Sequence, residues 1–134
     1  MSERICVSVL PKNMAEALNL IEKAEKAKAN LIEVRLDYLE ETRNIQDLPE
    51  STKLPLIATN KLRSEKGFFS GSETERQQTL LNAANNGFQY VDVDYSSPKR
   101  NETICRLKAL CTKPIVSYHK FDGILNVSSM ENIL

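Results

Sequence analysis

The sequence predicts an α/β protein in which strands and helices alternate along one chain. Segments rich in β-branched residues are separated by segments whose apolar residues recur at helical spacing. Polar residues also recur where the predicted strands end. Regular alternation of strands and helices is typical of parallel βαβ units, so we expect one parallel sheet.

The first half of the chain is predicted to form two strands and two helices. Residues 4–10 are rich in β-branched side chains, which favours a strand. Residues 12–29 place alanine, leucine and isoleucine at near-helical spacing after Asn13, a residue type that caps helices. A second strand is predicted over residues 30–37, and residues 38–48 are weakly helical.

The second half repeats this alternation. A strand over residues 54–60 is followed by a polar, glycine-containing loop at residues 63–71. Ser72-Glu73-Thr74-Glu75 is a capping-box pattern that begins a helix, and Gly87 ends that helix. The remaining predicted elements are strands at 90–95 and 114–118, a helix at 98–111, and the start of a further helix near Ser128.

Length and composition limit the class of protein. The chain has 134 residues, which suits one domain (residues 1–134) with a modest core. Its 18 basic and 18 acidic residues balance, so neither nucleic acid nor an anionic membrane surface is an expected partner. No apolar run is long enough to span a membrane, and we expect no signal peptide.

Cysteine and histidine usage bears on redox state and metals. The cysteines are odd in number and lack metal-ligand spacing; they are Cys6, Cys105 and Cys111. We therefore expect reduced thiols in a cytoplasmic protein. We do not expect a metal site, since the sequence has one histidine, His119.

The predicted strand at residues 30–37 carries the most informative pattern. Successive side chains on a strand point to opposite faces. Three apolar residues therefore share one face, and the charged residues Glu33, Arg35 and Asp37 share the other. Charges inside a covered parallel sheet are costly unless they are paired, and they are usually kept for a function.

Five strand–helix units suit two architectures. One is a flavodoxin-like open sheet, and the other is an incomplete (β/α)8 barrel, whose whole form needs about 250 residues. The polar strand ends favour the barrel, because barrel enzymes collect their chemistry at the carboxyl ends of the strands. These polar residues are Ser8, Glu33, Arg35, Asp37, Asn60, Lys61, Asp92, Asp94, Ser117 and His119. Of these, Asp92 and Asp94 are expected to be structural partners of Arg35 or Lys61.

Six short segments form a specific combination. They are Cys6-Val7-Ser8, Ile32-Glu33-Val34-Arg35-Leu36-Asp37, Ala58-Thr59-Asn60-Lys61, Glu65-Lys66-Gly67, Tyr90-Val91-Asp92-Val93-Asp94 and Ile115-Val116-Ser117-Tyr118-His119. In this order and spacing they resemble the N-terminal part of type I 3-dehydroquinate dehydratase. The resemblance implies a (β/α)8 TIM barrel, of which these residues would form about five βα units.

The resemblance also implies an activity, that of a lyase in the shikimate pathway of aromatic amino acid biosynthesis. In this family a lysine forms a Schiff base with the ketone of 3-dehydroquinate, and a histidine removes and returns the proton as water leaves, with no added cofactor. By motif, His119 matches the histidine and Glu65 matches the carboxylate that orients it. The positions that match substrate-binding residues are Ser8, Glu33, Arg35 and Lys61. The implied partner is this small anionic substrate.

Two features depart from the family pattern. The Schiff-base lysine of the family lies on the strand after the histidine strand, beyond Leu134. Lys120 is not expected to replace it, because neighbouring strand residues face opposite ways. We therefore expect little or no dehydratase activity from these 134 residues alone. Lys61 also stands where the family usually has arginine, which weakens a bidentate grip on a carboxylate.

Two other functions remain open at this point. A half-barrel with uncovered sheet edges would suit a non-catalytic binding or assembly module, for example a homodimer. The other is a complete flavodoxin-like receiver or carrier domain. That class needs an acidic cluster after the first strand, where this chain has Cys6, Ser8 and Leu10.

Overall fold

The structure is a computed structural model that describes residues 3–124 and 126–133. Within these residues, five strands alternate with helices, as the sequence predicts. The strands are β1 (Cys6–Val9), β2 (Leu31–Arg35), β3 (Leu56–Thr59), β4 (Tyr90–Asp94) and β5 (Lys113–Ser117). The α-helices are α1 (Met14–Lys26), α2 (Asp47–Glu50), α3 (Glu73–Asn85), α4 (Arg100–Ala109) and α5 (Val127–Ile133). Single 3₁₀ turns cover Leu36–Tyr38 and Arg63–Glu65.

The strands form one sheet whose spatial order is the chain order, β1-β2-β3-β4-β5. Every neighbouring pair is parallel. A flavodoxin-like sheet changes its winding direction at a switch point, so its strands do not lie in chain order. Sequential order with right-handed crossovers instead places successive helices on one side of the sheet. This is the winding of consecutive units in a (β/α)8 barrel, and it excludes the flavodoxin-like alternative.

The hydrophobic core lies between the sheet and helices α1, α3 and α4. Strands β1 to β4 supply alternate residues, such as Ile32 and Val34 of β2, and the helices supply residues such as Ile21 and Leu107. The intervening strand residues therefore point away from the helices. We call their side of the sheet the inner face; its polar members are Ser8, Glu33, Arg35, Thr59, Asp92, Asp94 and Ser117, and Lys61 reaches it from just beyond β3.

The predicted helix starts of α1 and α3 are confirmed. Asn13 Oδ1 accepts a hydrogen bond from the backbone N–H of Glu16, at 2.8 Å. Ser72 and Glu75 form both bonds of a capping box, since each side chain accepts from the other residue's backbone N–H. These caps satisfy N–H groups that have no partner within the helix.

The second strand is shorter than predicted, and the expectation that Asp37 continues its charged row is wrong. β2 ends at Arg35, and Leu36–Tyr38 form a 3₁₀ turn. The turn brings the Asp37 carboxylate onto the Arg35 guanidinium, at 2.8 and 2.9 Å. Asp37 is buried, and a buried carboxylate needs such partners, which favours the turn over a continued strand.

The weak helix predicted at residues 38–48 is also wrong in extent. The structure has an α-helix only at Asp47–Glu50. Asn44 adopts a left-handed backbone conformation, with φ of 59°. A left-handed residue interrupts a right-handed helix, and asparagine tolerates this conformation better than most residues.

None of the helices in the described part of the chain combines the length and the apolar character that crossing a membrane requires.

Candidate active site

Glu33 is fixed on the inner face by two hydroxyl groups. The register places it beside Ser8 of β1. The Ser8 hydroxyl donates to Glu33 Oε1 at 2.7 Å, and the Thr59 hydroxyl donates to Oε2 at 2.8 Å. Each carboxylate oxygen still has a lone pair for a ligand. The structure thus brings together Ser8 and Glu33, two of the predicted site residues, and adds Thr59, to which the sequence assigned no role.

Arg35 follows Glu33 on the same face and is oriented by the turn after β2. Its Nε and Nη2 donate to Asp37, and Nη1 makes no hydrogen bond to the part of the chain that the structure describes, so Nη1 can serve another acceptor. The Asp37 carboxylate also accepts from the backbone N–H of Phe68, at 3.0 Å, which ties the loop after β3 to the end of β2. Hydrogen bonding to Asp37 raises the pKa of Arg35, and the guanidinium stays charged.

Lys61 binds both aspartates of β4, which confirms one of the two pairings expected for them. Its ammonium lies 2.8 Å from Asp92 Oδ2 and 2.5 Å from Asp94 Oδ1. A third, longer bond of 3.4 Å runs to the Ser117 hydroxyl. Burial alone would lower the pKa of Lys61, but the two carboxylates outweigh burial and raise it. Lys61 is therefore a stable cation whose three hydrogens all have acceptors.

Lys61, Asp92 and Asp94 form a buried cluster of charged side chains, and Arg76 of α3 extends it. It is 3 % exposed, and its Nη1 donates to Asp94 Oδ2 at 2.7 Å and to the backbone oxygen of Asn60 at 3.1 Å. Its Nε and Nη2 bind both oxygens of Glu73, at 2.8 and 2.7 Å. Arg76 thus connects the start of α3 to the ends of β3 and β4.

The sequence-based predictions assign no role to Arg76. One signal was present: Arg76 and Gln77 lie four residues before Leu80 and Leu81, on the buried side of α3. A charged residue on the apolar face of a helix needs a buried partner. The pattern does not say which partner, because Asp94 is eighteen residues further along the chain.

The pKa of Glu73 makes the stability of the fold depend on pH. Partial burial would raise its pKa, but hydrogen bonds from Arg76, Ser97 and Gln77 outweigh burial and lower the pKa below the ordinary 4.5. A lowered pKa in the folded state stabilises the fold above the unfolded-state value, and the stabilisation is lost as pH falls through the folded-state pKa.

We predict that Glu73→Gln lowers the free energy of unfolding by about 1–2 kcal/mol at neutral pH, since hydrogen bonds to a charged group are lost. The difference from the unaltered chain should shrink as pH falls below 4.5. Urea unfolding at a series of pH values measures it. Glu102→Gln, on the exposed side of α4, is the matched control and should have little effect. A Glu73→Gln effect that is constant across this pH range would contradict the prediction.

His119 and Glu65 occupy neighbouring loops at the same end of the sheet. His119 lies two residues beyond β5 and is exposed, and its ring stacks on that of Phe121. Glu65 is half-buried in the turn Arg63–Glu65 after β3. Within the described residues no hydrogen bond joins the Glu65 carboxylate to the imidazole, so their partnership stays a prediction.

The expectation that Lys120 lies on the last strand is wrong. β5 ends at Ser117, and the Lys120 ammonium lies 3.5 Å from the backbone oxygen of Ile124.

In residues 3–124 and 126–133, no group of three or more His, Cys, Asp or Glu side chains is placed to bind a metal ion.

The sequence as a whole matches a known family. The family described as "Type I 3-dehydroquinase" matches residues 5–134. The chain belongs to the type I 3-dehydroquinase family. Curated relatives named 3-dehydroquinate dehydratase include one from Methanothermobacter thermautotrophicus, 39 % identical over 123 residues, and one from Methanothrix thermoacetophila, 38 % identical over 110 residues. These alignments cover 90 % and 82 % of this chain, and 54 % and 47 % of the respective relatives. The chain therefore spans about half the length of these two relatives.

Solved structures of proteins named 3-dehydroquinate dehydratase share the fold. The Geobacillus kaustophilus enzyme superposes with a TM-score of 0.87 at 18 % identity, covering 96 % of this chain and 55 % of that one. The Enterococcus faecalis enzyme has a TM-score of 0.76 at 19 % identity, covering 89 % and 54 %. At this level of identity the likeness shows the fold alone, and it confirms that the five strands are wound as in this family's barrels.

Proposed function

We propose that this chain supplies one side of a 3-dehydroquinate dehydratase active site, the side that recognises the substrate. The observation that carries the proposal is the Glu33 carboxylate, held on the inner face by Ser8 and Thr59 beside the Arg35–Asp37 pair. A group of polar and charged side chains on the inner face of a parallel sheet is costly to keep for stability alone. Family membership over residues 5–134 supplies the reaction class.

The proposed contacts follow from the free hydrogen-bonding positions. Glu33 accepts from substrate hydroxyl groups through its remaining lone pairs, and Ser8 lines the same wall. Arg35 offers Nη1 to a hydroxyl or carboxylate oxygen of the anionic substrate. Lys61 is placed to contact substrate only if its longest bond, to Ser117, is exchanged, since the other two hydrogens face carboxylates.

His119 is proposed as the general base and acid. An imine at the substrate ketone withdraws electrons and acidifies the adjacent C–H. The imidazole takes that proton, and the electron pair forms the new C=C bond as the hydroxyl leaves with the proton returned by the imidazolium. A nearby carboxylate favours the imidazolium and fixes the ring, which is the role proposed for Glu65.

The imine itself is proposed to need a lysine other than Lys61. A lysine attacks a carbonyl as the neutral amine. Lys61, the lysine that reaches the inner face, is kept charged by Asp92 and Asp94, which raise its pKa. The family resemblance implies that the Schiff-base lysine lies on the strand after the histidine strand, so we propose that these 134 residues do not dehydrate 3-dehydroquinate by themselves. The proposed place of the reaction is the cytoplasm, in keeping with the free thiols of the three cysteines.

The test compares this chain with a fusion of the chain to the C-terminal part of one of its curated relatives. Both are incubated with 3-dehydroquinate and borohydride, and their intact masses are measured. We expect a reduced adduct and formation of 3-dehydroshikimate with the fusion, and neither with the chain alone. An adduct on the chain alone would overturn the lysine proposal. A folded fusion that neither binds nor dehydrates the substrate would overturn the proposed function.

The same material tests a second function, a non-catalytic assembly module. The observation in its favour is the apolar surface around β5, where Ile115, Val116 and Tyr118 are each more than a third exposed. Exposed apolar residues beside an open strand edge favour association. Size-exclusion chromatography with light scattering should then show a homodimer of the chain, and a stable monomer would exclude this alternative.

A further inference from the structure

The loop after β3 is closed by its own backbone. The N–H of Gly67 donates to the oxygen of Leu62 at 2.8 Å, and the N–H of Phe69 donates to the oxygen of Lys61 at 3.0 Å. A Cβ added at Gly67 would lie 2.1 Å from that Lys61 oxygen, so the chain needs glycine there to close the loop. The side chain of Lys66, at the tip of this loop, therefore starts from a fixed backbone position.

Lys66 holds an unusual backbone conformation and makes a specific contact. Its φ is 60°, in the left-handed region that side-chain-bearing residues rarely adopt. Its ammonium lies 4.4 Å from the centroid of the Phe121 ring, within the range of a cation–π interaction. The loop after β3 and the segment after β5 thus meet at this contact.

Phe121 in turn contacts the imidazole of His119. The two ring centroids are 5.9 Å apart and the ring planes differ by 7°. This distance is in the usual range for paired aromatic rings, and an offset stack is a favoured arrangement. Lys66, Phe121 and His119 therefore form one continuous row of contacts that starts in the loop containing Glu65.

We propose that Phe121 and Lys66 are positioning residues for His119: Phe121 stacks on the imidazole, and Lys66 anchors Phe121 to the loop after β3. His119 lies beyond the last residue of β5, so the sheet does not fix its backbone. Within the described residues no hydrogen bond reaches its imidazole, which leaves the stacking contact to set the plane of the ring.

Stacking suits a group that must exchange protons. It uses the face of the ring and leaves Nδ1 and Nε2, which lie on the edge, free to accept and donate. The contact between Lys66 and Phe121 also holds the segment that contains His119 near the loop that contains Glu65. His119 and Glu65 are the two residues proposed to act together. The catalytic role of His119 rests on the proposed function, whereas the contacts among Lys66, Phe121 and His119 do not.

The single histidine makes the arrangement measurable by NMR in the 134-residue chain. We would label histidine with ¹³C and record the imidazole C–H shifts of all variants at one fixed alkaline pH. The ring current of Phe121 should displace these signals from the values of free histidine. Phe121→Leu should abolish the displacement, Lys66→Gln should reduce it, and Lys66→Arg should preserve it because the cation–π contact is kept.

Lys120→Gln is the matched control. It removes the same charge next to His119, but the Lys120 ammonium lies near a backbone oxygen and not over an aromatic ring. Its spectrum should match that of the unaltered chain. If Phe121→Leu leaves the imidazole shifts unchanged, the stacking is overturned; if Lys66→Gln and Lys120→Gln have equal effects, the role of Lys66 is overturned.

A measurement on the unaltered chain tests the stacking without variants, whose folding could be altered. Nuclear Overhauser effects between the imidazole protons and the Phe121 ring should appear in the unaltered chain, and their absence would also overturn the proposal. No outcome here depends on dehydratase activity. Failure of the proposed function would leave these spectra as predicted, and failure of the stack would leave the borohydride test intact.

Discussion

Replacing His119 by glutamine should lower the kcat of dehydration about 10²–10⁴-fold in the fusion protein described above, the usual contribution of general acid–base catalysis. Glutamine is close in size and keeps hydrogen-bonding capacity, but it cannot take a proton from carbon at neutral pH. KM should change much less than kcat, because the substrate contacts are proposed to come from Glu33 and Arg35. Steady-state kinetics of 3-dehydroshikimate formation measures both constants.

The control for this variant is Lys120→Gln, which changes the neighbouring residue and should leave kcat within a few-fold of the starting value. A loss of less than tenfold in His119→Gln would show that another group removes the proton, and the assignment of His119 would fail. A large rise in KM with unchanged kcat would point to a binding role instead.

Replacing Arg76 by methionine should cause the largest loss of stability that we predict, about 3–5 kcal/mol, the usual cost of removing one partner from a buried ion pair. The side chain of Arg76 is 4 % exposed and binds Glu73 and Asp94. Methionine fills part of the volume but leaves Asp94 with Lys61 as its remaining cation. Glu73 and Asp94 then lose the guanidinium whose positive charge compensates for the cost of burying their carboxylates. The midpoint of urea unfolding, monitored by circular dichroism, measures the change.

Arg43→Met is the matched control for Arg76→Met. Arg43 also binds a carboxylate through Nε and Nη2, that of Glu41, but its side chain is 82 % exposed. An exposed pair contributes about 0–1 kcal/mol, so this variant should unfold close to the unaltered chain. Equal effects of the two substitutions would contradict the claim that burial of the Arg76 cluster determines its contribution.

Much of the site was accessible from the sequence because its pattern is local. The alternation around Glu33 and Arg35 depends only on strand geometry, and the structure places both on the inner face as alternation requires. The capping box at Ser72 is likewise a pattern within four residues, and it forms as predicted. Lys61 was one of the two partners expected for the β4 aspartates, and the structure shows that Lys61 binds them.

The errors arose where contacts between distant segments override local pattern. Asp37 was expected on the strand, but the turn after Arg35 lets its carboxylate also accept from Phe68, which is 31 residues away. Lys120 does not follow the alternation expected of a strand residue because the strand stops at Ser117. Thr59 and Arg76 received no role, since their partners Glu33 and Asp94 are 26 and 18 residues distant.

By itself the sequence determined the alternation of strands and helices, which strand faces are polar, and the family to which the chain belongs. Periodicity, helix caps and short motifs act over a few residues, so they can be read directly from the chain. Only the tertiary structure decided the order of the strands in the sheet, the acceptors of Lys61 and Arg76, and the contact of Lys66 and Phe121 with the histidine ring. Those features depend on which distant segments pack together, and the energy of packing is a property of the folded arrangement that no local pattern contains.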